Sequence, residues 1–164
     1  MLVRAYGLFW YRDQITWSPG RGNSFLMLGR QGKNNPNLKV ANFRYQPGIY
    51  VLYGNYGAYY VGLTKEMGRR LRDHTTDEHA NNWDKFSWFG FSEVLKGKDE
   101  NGMRLIKKVP DLAAVNTNKI IDETETLLIH VLNTVNVNKK YFKKAGKWEQ
   151  IKPPEILKYL EKIS

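Results

Sequence analysis

The strongest constraint on the fold is a pair of apolar runs joined by a short connection. Ile49 to Tyr53 and Ala58 to Leu63 are rich in aromatic and β-branched residues, and Gly54-Asn55-Tyr56-Gly57 lies between them. Such a glycine- and asparagine-containing link has strong turn chemistry. The two runs are therefore predicted to fold back on each other as a β-hairpin. Residues 66–79 then read as a helix and Phe86 to Val94 as an aromatic strand. Residues 95–117 read as loop with short elements, and Asn118 to Leu132 as a well-patterned helix. Pro153-Pro154 marks a break before a short terminal helix over Glu155 to Ile163.

Ahead of the hairpin, residues 2–17, 24–30 and 38–45 read as strands separated by two loop clusters, Ser18 to Asn23 and Gly32 to Asn37. The chain thus divides into a β-rich extension over 1–45, a core over 46–138 and a tail over 139–164. Charge follows the same division. Residues 1–45 carry seven basic groups and one acid, residues 139–164 eight basic and three acids, and the middle is close to neutral. A net charge of +10 makes a polyanion the first partner to test. Arg12, Arg30, Lys143 and Lys144 are candidate phosphate contacts on the flanks, and Lys65 is another beside the core helix. Aromatics lie among these charges, Tyr6, Phe9, Trp10, Tyr11 and Trp17 on one side and Tyr141, Phe142 and Trp148 on the other. That mixture suits stacking on nucleic acid and equally suits core residues of alternating strands. The chain has no cysteine and three histidines, which excludes disulfides, thiolate metal sites and a cysteine nucleophile. The sequence shows no signal peptide and no long apolar run, so a soluble cytoplasmic protein with no membrane partner is expected.

The hairpin carries a pattern of its own. Gly48-Ile49-Tyr50 is followed, after nine residues, by Tyr60-Val61-Gly62. The chain then continues through Gly68-Arg69-Arg70-Leu71-Arg72-Asp73-His74, and later through Glu125-Thr126-Leu127-Leu128-Ile129. In this order and spacing the chain resembles the GIY-YIG nuclease family, with Val61 a mild substitution in the second triplet. The resemblance covers roughly residues 47–138. It implies an α+β fold, a small mixed or antiparallel sheet flanked by helices, here preceded by the β-rich N-terminal extension. It implies a catalytic arginine at Arg70, a His at His74, a metal-binding carboxylate at Glu125 and a catalytic asparagine at Asn136 or Asn138. Where the family often has proline before that asparagine, this chain has Thr134.

Helix geometry supports two of these choices. At about 100° per residue, Met67, Leu71 and His74 share a stripe; Arg70 lies about 60° from Met67 and Arg69 about 160°. In the second helix, Ile121, Leu128 and Leu132 define an apolar arc that contains Glu125, with Glu123 on the polar side. A carboxylate in an apolar arc needs a partner, and a cation is one.

The chemistry implied is metal-dependent hydrolysis of a phosphodiester. Mg²⁺ or Mn²⁺ on Glu125 suits a hard, oxygen-rich site. Arg70 would meet the charge that builds on the phosphoryl oxygens. Either Tyr60 or His74 is the general base, with Tyr50 orienting the water or sharing its proton. The expected function is an endonuclease acting on DNA in restriction or phage defence. The alternatives are a nuclease acting on RNA and a non-catalytic nucleic-acid-binding module of the same fold; a homo-oligomer is compatible with all of them.

Overall fold

The structure, a computed structural model, describes residues 2–17, 25–110, 116–132 and 141–164. Nine strands and three helices are found among them. The strands are β1 (Ala5–Tyr11), β2 (Leu28–Gln31), β3 (Lys39–Asn42), β4 (Gly48–Gly54), β5 (Gly57–Thr64), β6 (Lys85–Gly90), β7 (Val94–Lys98), β8 (Arg104–Ile106) and β9 (Gly146–Gln150). The helices are α1 (Met67–Asp73), α2 (Thr117–Leu132) and α3 (Ile156–Ile163). This is a mixed sheet with helices, an α+β architecture with a β-rich N-terminal region.

The strands form one sheet in the order β5-β4-β6-β1-β9-β2-β3-β8-β7. Pairing is antiparallel except at β1–β9 and β3–β8. The basic flanks are therefore built into the same sheet as the middle of the chain. β1 lies between β6 and β9, and β9 in turn pairs with β2. β9 has no counterpart in the sequence reading. Its run Lys147-Trp148-Glu149-Gln150 holds a single apolar residue, too little for a periodicity signal.

Rings from strands far apart in the sheet meet each other. Phe43, just after β3, lies 4.4 Å from Trp88 of β6 and 5.0 Å from Trp148 of β9, centroid to centroid. Trp10 of β1 packs edge-on to Trp88 at 5.4 Å. Such contacts require the sheet to coil around this core, as twisted sheets of this width do. Most flank aromatics thus serve the core: Tyr6, Trp10, Phe142 and Trp148 are buried, whereas Tyr11 and Tyr141 are exposed.

The two faces of β4 set the layers. Tyr50 and Leu52 join the cluster that holds Met67 and Leu71 of α1. Val51 and Tyr53 face the other way and join Phe89, Phe142 and Val131, with Leu127 of α2 against them. α3 closes a third cluster through Tyr159, packed with Leu28, Val40 and Ile151.

α1 is shorter than the helix expected over 66–79. It ends at Asp73, with His74 as its cap. The Thr75 and Thr76 hydroxyls donate back to the carbonyls of Arg72 and Asp73, at 2.7 and 3.2 Å. These local bonds compete with continued helix. The chain then turns through 75–84 and re-enters the sheet at β6.

Candidate active site

Tyr50 stands in the middle of a hydrogen-bonded row. Its hydroxyl lies 2.7 Å from Nε2 of His74, and Nδ1 of His74 lies 2.7 Å from Oδ2 of Asp77. Asp77 Oδ1 also accepts the backbone N–H of His79 at 2.8 Å. A carboxylate on Nδ1 fixes that nitrogen as the donor of a neutral ring, which leaves Nε2 to accept the Tyr50 proton. Tyr50 and His74 are both fully buried. Tyr60 is only half-buried, with its ring centroid 6.2 Å from Tyr50 and 5.2 Å from His74.

The two motif glycines make this row possible. A Cβ on Gly62 would stand 2.2 Å from the Tyr50 hydroxyl and ring, so the phenol lies across bare backbone. A Cβ on Gly48 would stand 2.1 Å from the Phe89 carbonyl oxygen, so β4 could not pair with β6 as it does.

A register irregularity between Leu52 and Tyr53 then alters the far end of the hairpin. Leu52 pairs with Tyr60 and Tyr53 with Ala58, so Tyr59 is the extra residue of a bulge. Strict alternation would send Tyr59 and Tyr60 to opposite faces. Here both reach His79. The Tyr59 hydroxyl is 3.0 Å from its Nδ1, and the Tyr60 ring is 4.6 Å from its ring. His79 also lies 5.0 Å from His74. The sequence pattern singles out neither His79 nor Asp77. On a helix continued to residue 79, His79 would point about 140° from His74. The early end of α1 is what returns it to the site.

Electrostatics follow from burial and from one cation. Burial pushes the Tyr50 phenol above its ordinary value, although the Arg70 guanidinium beside it pulls the other way. Arg70, next to both Tyr50 and Tyr60, is held above its usual value mainly by Tyr50. Burial lowers His74, which outweighs the opposing pull of Asp77; Arg70 and His79 lower it further. Partial burial would raise Asp77, but the His79 N–H and the His74 side chain outweigh it and hold the carboxyl below its normal value. The row therefore rests as carboxylate, neutral imidazole and neutral phenol. The structure brings Tyr50, Tyr60, Arg70 and His74 together.

Glu125 is carried by a different element, α2. Its side chain is exposed on α2, the helix that packs against the Val51 and Tyr53 face. α2 also runs beside β5, the strand that carries Tyr60. The buried positions of α2 are Glu123, Thr126 and Val131, while Ile121, Leu128 and Leu132 are exposed. The apolar arc that favoured Glu125 as the inward carboxylate thus faces outward, and Glu123 faces inward. Glu123 Oε2 accepts the Leu2 backbone N–H at 2.8 Å, a tie to the N-terminal segment that periodicity within α2 could not reveal.

Comparison with known proteins gives one result. The GIY-YIG catalytic domain model matches residues 46–141, more than half of the chain. The chain belongs to the GIY-YIG family. No curated protein and no solved structure matches it. Membership makes it a member of a nuclease family, whose substrate is nucleic acid.

GIY-YIG nucleases generally use a divalent metal. Two places among the described residues offer ligands. His74, Asp77 and His79 present atoms within 4.8 Å of one another. Two imidazoles and one carboxylate are a donor set for transition metals. The exposed Glu125 carboxylate instead fits a hard ion that keeps most of its water, in the manner of Mg²⁺. Asn136 and Asn138, the two choices for the family asparagine, lie outside the described residues.

The basic residues divide into two kinds. Arg12 donates to the carbonyls of Ala80, Trp83 and Thr75 and stacks on Trp83, with its guanidinium carbon 4.6 Å from the ring. Arg30 pairs with Glu149, donates to Gly32 O and lies over Tyr159. Both guanidinium groups work inside the fold, Arg12 as the brace of the 75–83 segment. Lys65, Lys143 and Lys144 are exposed. No helix among the described residues is long and apolar enough to cross a membrane.

Proposed function

We propose that this GIY-YIG protein is a metal-dependent endonuclease that hydrolyses DNA phosphodiesters. The observation that carries the reading is the Asp77–His74–Tyr50 row, with Arg70 and Tyr60 at its open end. Tyr60 is the phenol that can meet a water, since Tyr50 is sealed from solvent. The water gives its proton to the Tyr60 oxygen as Tyr60 passes its own to Tyr50. Tyr50 in turn passes its proton to Nε2 of His74. The imidazolium formed is balanced by the Asp77 carboxylate, so a strong phenolate need not accumulate. The hydroxide attacks phosphorus as the P–O bond to the leaving sugar oxygen breaks, and Arg70 faces the negative charge that builds on the phosphoryl oxygens. The leaving oxygen takes a proton from solvent water, and the row later returns its proton to solvent. Glu125 is the carboxylate we assign to Mg²⁺ or Mn²⁺, with Asn136 or Asn138 as the family asparagine. The metal would supply Lewis-acid stabilisation of the phosphoryl and leaving oxygens. Lys65, Lys143 and Lys144 are the exposed cations we assign to the phosphate backbone.

A plasmid-nicking assay with Mg²⁺ and with EDTA, followed by defined single- and double-stranded DNA and RNA, tests the reading. Cleavage of DNA that stops in EDTA and in Arg70→Ala is the expected result. Binding without cleavage under any divalent metal would make the protein a binding module, and cleavage confined to RNA would replace the substrate.

A further inference from the structure

A cavity of about 390 Å³ opens beside the catalytic row, between the hairpin turn and the segment before β6. Asn55, Tyr56, Tyr59, Asn81, Asn82 and Asp84 line it. Its walls are held firmly. The Asp84 N–H donates to Tyr53 O at 3.0 Å and the Asn82 N–H to His79 O at 2.9 Å. Gly54 lies so near the Asn82 carbonyl that a Cβ would stand 2.5 Å from its oxygen, and Arg12 braces the loop from behind. The cavity shares Tyr59 with the catalytic cluster, because the Tyr59 hydroxyl holds His79 and His79 lies on the Tyr60 ring.

The lining has a definite chemistry. Tyr56, at the tip of the turn, is fully exposed and packs on nothing in the fold. A free aromatic face at the rim of a cleft is a stacking platform for a nucleobase. Asn55, Asn81 and Asn82 bring primary amides, the side-chain type that pairs with adenine edges; the Asn82 amide nitrogen also donates to the Glu78 carbonyl at 3.5 Å. Asp84 accepts from exocyclic amines. Among the described residues no lysine or arginine lines the cavity, so it is unsuited to a phosphate. We propose that this cavity holds one unpaired nucleobase of the substrate, with adenine the best match, next to the phosphodiester that is cut. Tyr56 stacks on that base and the asparagine amides read its edge. The proposal rests on the nuclease reading above and adds a specificity subsite to it.

Cleavage of oligonucleotides tests it, with a single abasic position moved stepwise across the mapped cut site. Wild-type protein should lose activity at one position by on the order of tenfold to a hundredfold, the worth of one base–aromatic stack. Tyr56→Ala should be slower on intact substrate by a similar factor and indifferent to the abasic site at that position. Tyr56→Phe should retain the wild-type pattern, and Asn81→Ala with Asn82→Ala should narrow the gap between adenine and thymine there. Additive losses from Tyr56→Ala and the abasic site would overturn the proposal while leaving the nuclease reading intact. A protein that neither binds nor cuts any nucleic acid would overturn both.

Discussion

Gly62 shows how much of the site depends on the absence of an atom. Gly62→Ala places a methyl group on the Tyr50 hydroxyl, and Tyr50 is itself fully buried. We predict a loss of about 1–3 kcal/mol in stability, read by denaturant unfolding, together with a large loss of cleavage. The two neighbouring tyrosines differ in a subtler way. The bulge brings both to His79, but Tyr60 is the one in contact with Tyr50 and Arg70. Tyr60→Phe should therefore slow cleavage by on the order of a hundredfold or more. Tyr59→Phe removes only a hydrogen bond to His79 and should cost much less; an equal loss would relocate the base. The pH profile tests His74. Burial lowers its pKa, so the neutral form that accepts the Tyr50 proton persists below the ordinary imidazole value. The acid limb of activity should lie below about pH 6.5. The unfolded chain takes up that proton first, so stability also falls as pH drops through this region. Asp77 raises His74, so Asp77→Asn should lower kcat and move the limb to still lower pH. A limb that moves upward would contradict the proton path.

At the scale of elements, α2 is where pattern and packing part company. An amphipathic arc says that a helix has a preferred face, and solvent is assumed to be on the other side. Here Glu123 is buried through a tie outside the helix, while Thr126 satisfies its hydroxyl on its own helix one turn back. Glu123 accepts the Leu2 N–H, and the Thr126 hydroxyl donates to Asp122 O at 2.8 Å. The roles of the two carboxylates can be separated by experiment. Glu123→Ala removes the Leu2 acceptor and should lower stability by about 1 kcal/mol while leaving turnover at saturating metal unchanged. Glu125→Ala should remove metal-dependent cleavage even at saturating metal. The reverse pattern would move the metal carboxylate to Glu123. α1 was easier to read, since Met67, Leu71 and His74 share one stripe and all three are buried. Its length was not, because the Thr75 and Thr76 back-bonds that end it are individual contacts without a period.

For the whole molecule, charge and topology must be taken together. The basic flanks are part of the sheet, and Arg12 and Arg30 are committed to contacts inside the fold, so the exposed cations left for a polyanion are chiefly lysines. With roughly six phosphate contacts, affinity should fall on the order of a thousandfold between about 50 and 200 mM salt. Lys143→Gln with Lys144→Gln should weaken binding on all sequences and flatten that slope. Arg12→Gln should instead lower the unfolding midpoint and cleavage and leave the slope unchanged. A wild-type slope near zero, measured on Arg70→Ala protein, would remove the case for a lysine grip. Local chemistry was enough to read the β4–β5 hairpin, the inward stripe of α1 and the order of the family motifs, because turn residues and side-chain periods act over a few positions. Only the tertiary structure decided that β1 lies between β6 and β9, that α2 turns Glu123 inward and that Asp77 and His79 complete the row around Tyr50. Each of those outcomes depends on a partner tens of residues away or on a break in a period, and neither leaves a mark in a local pattern.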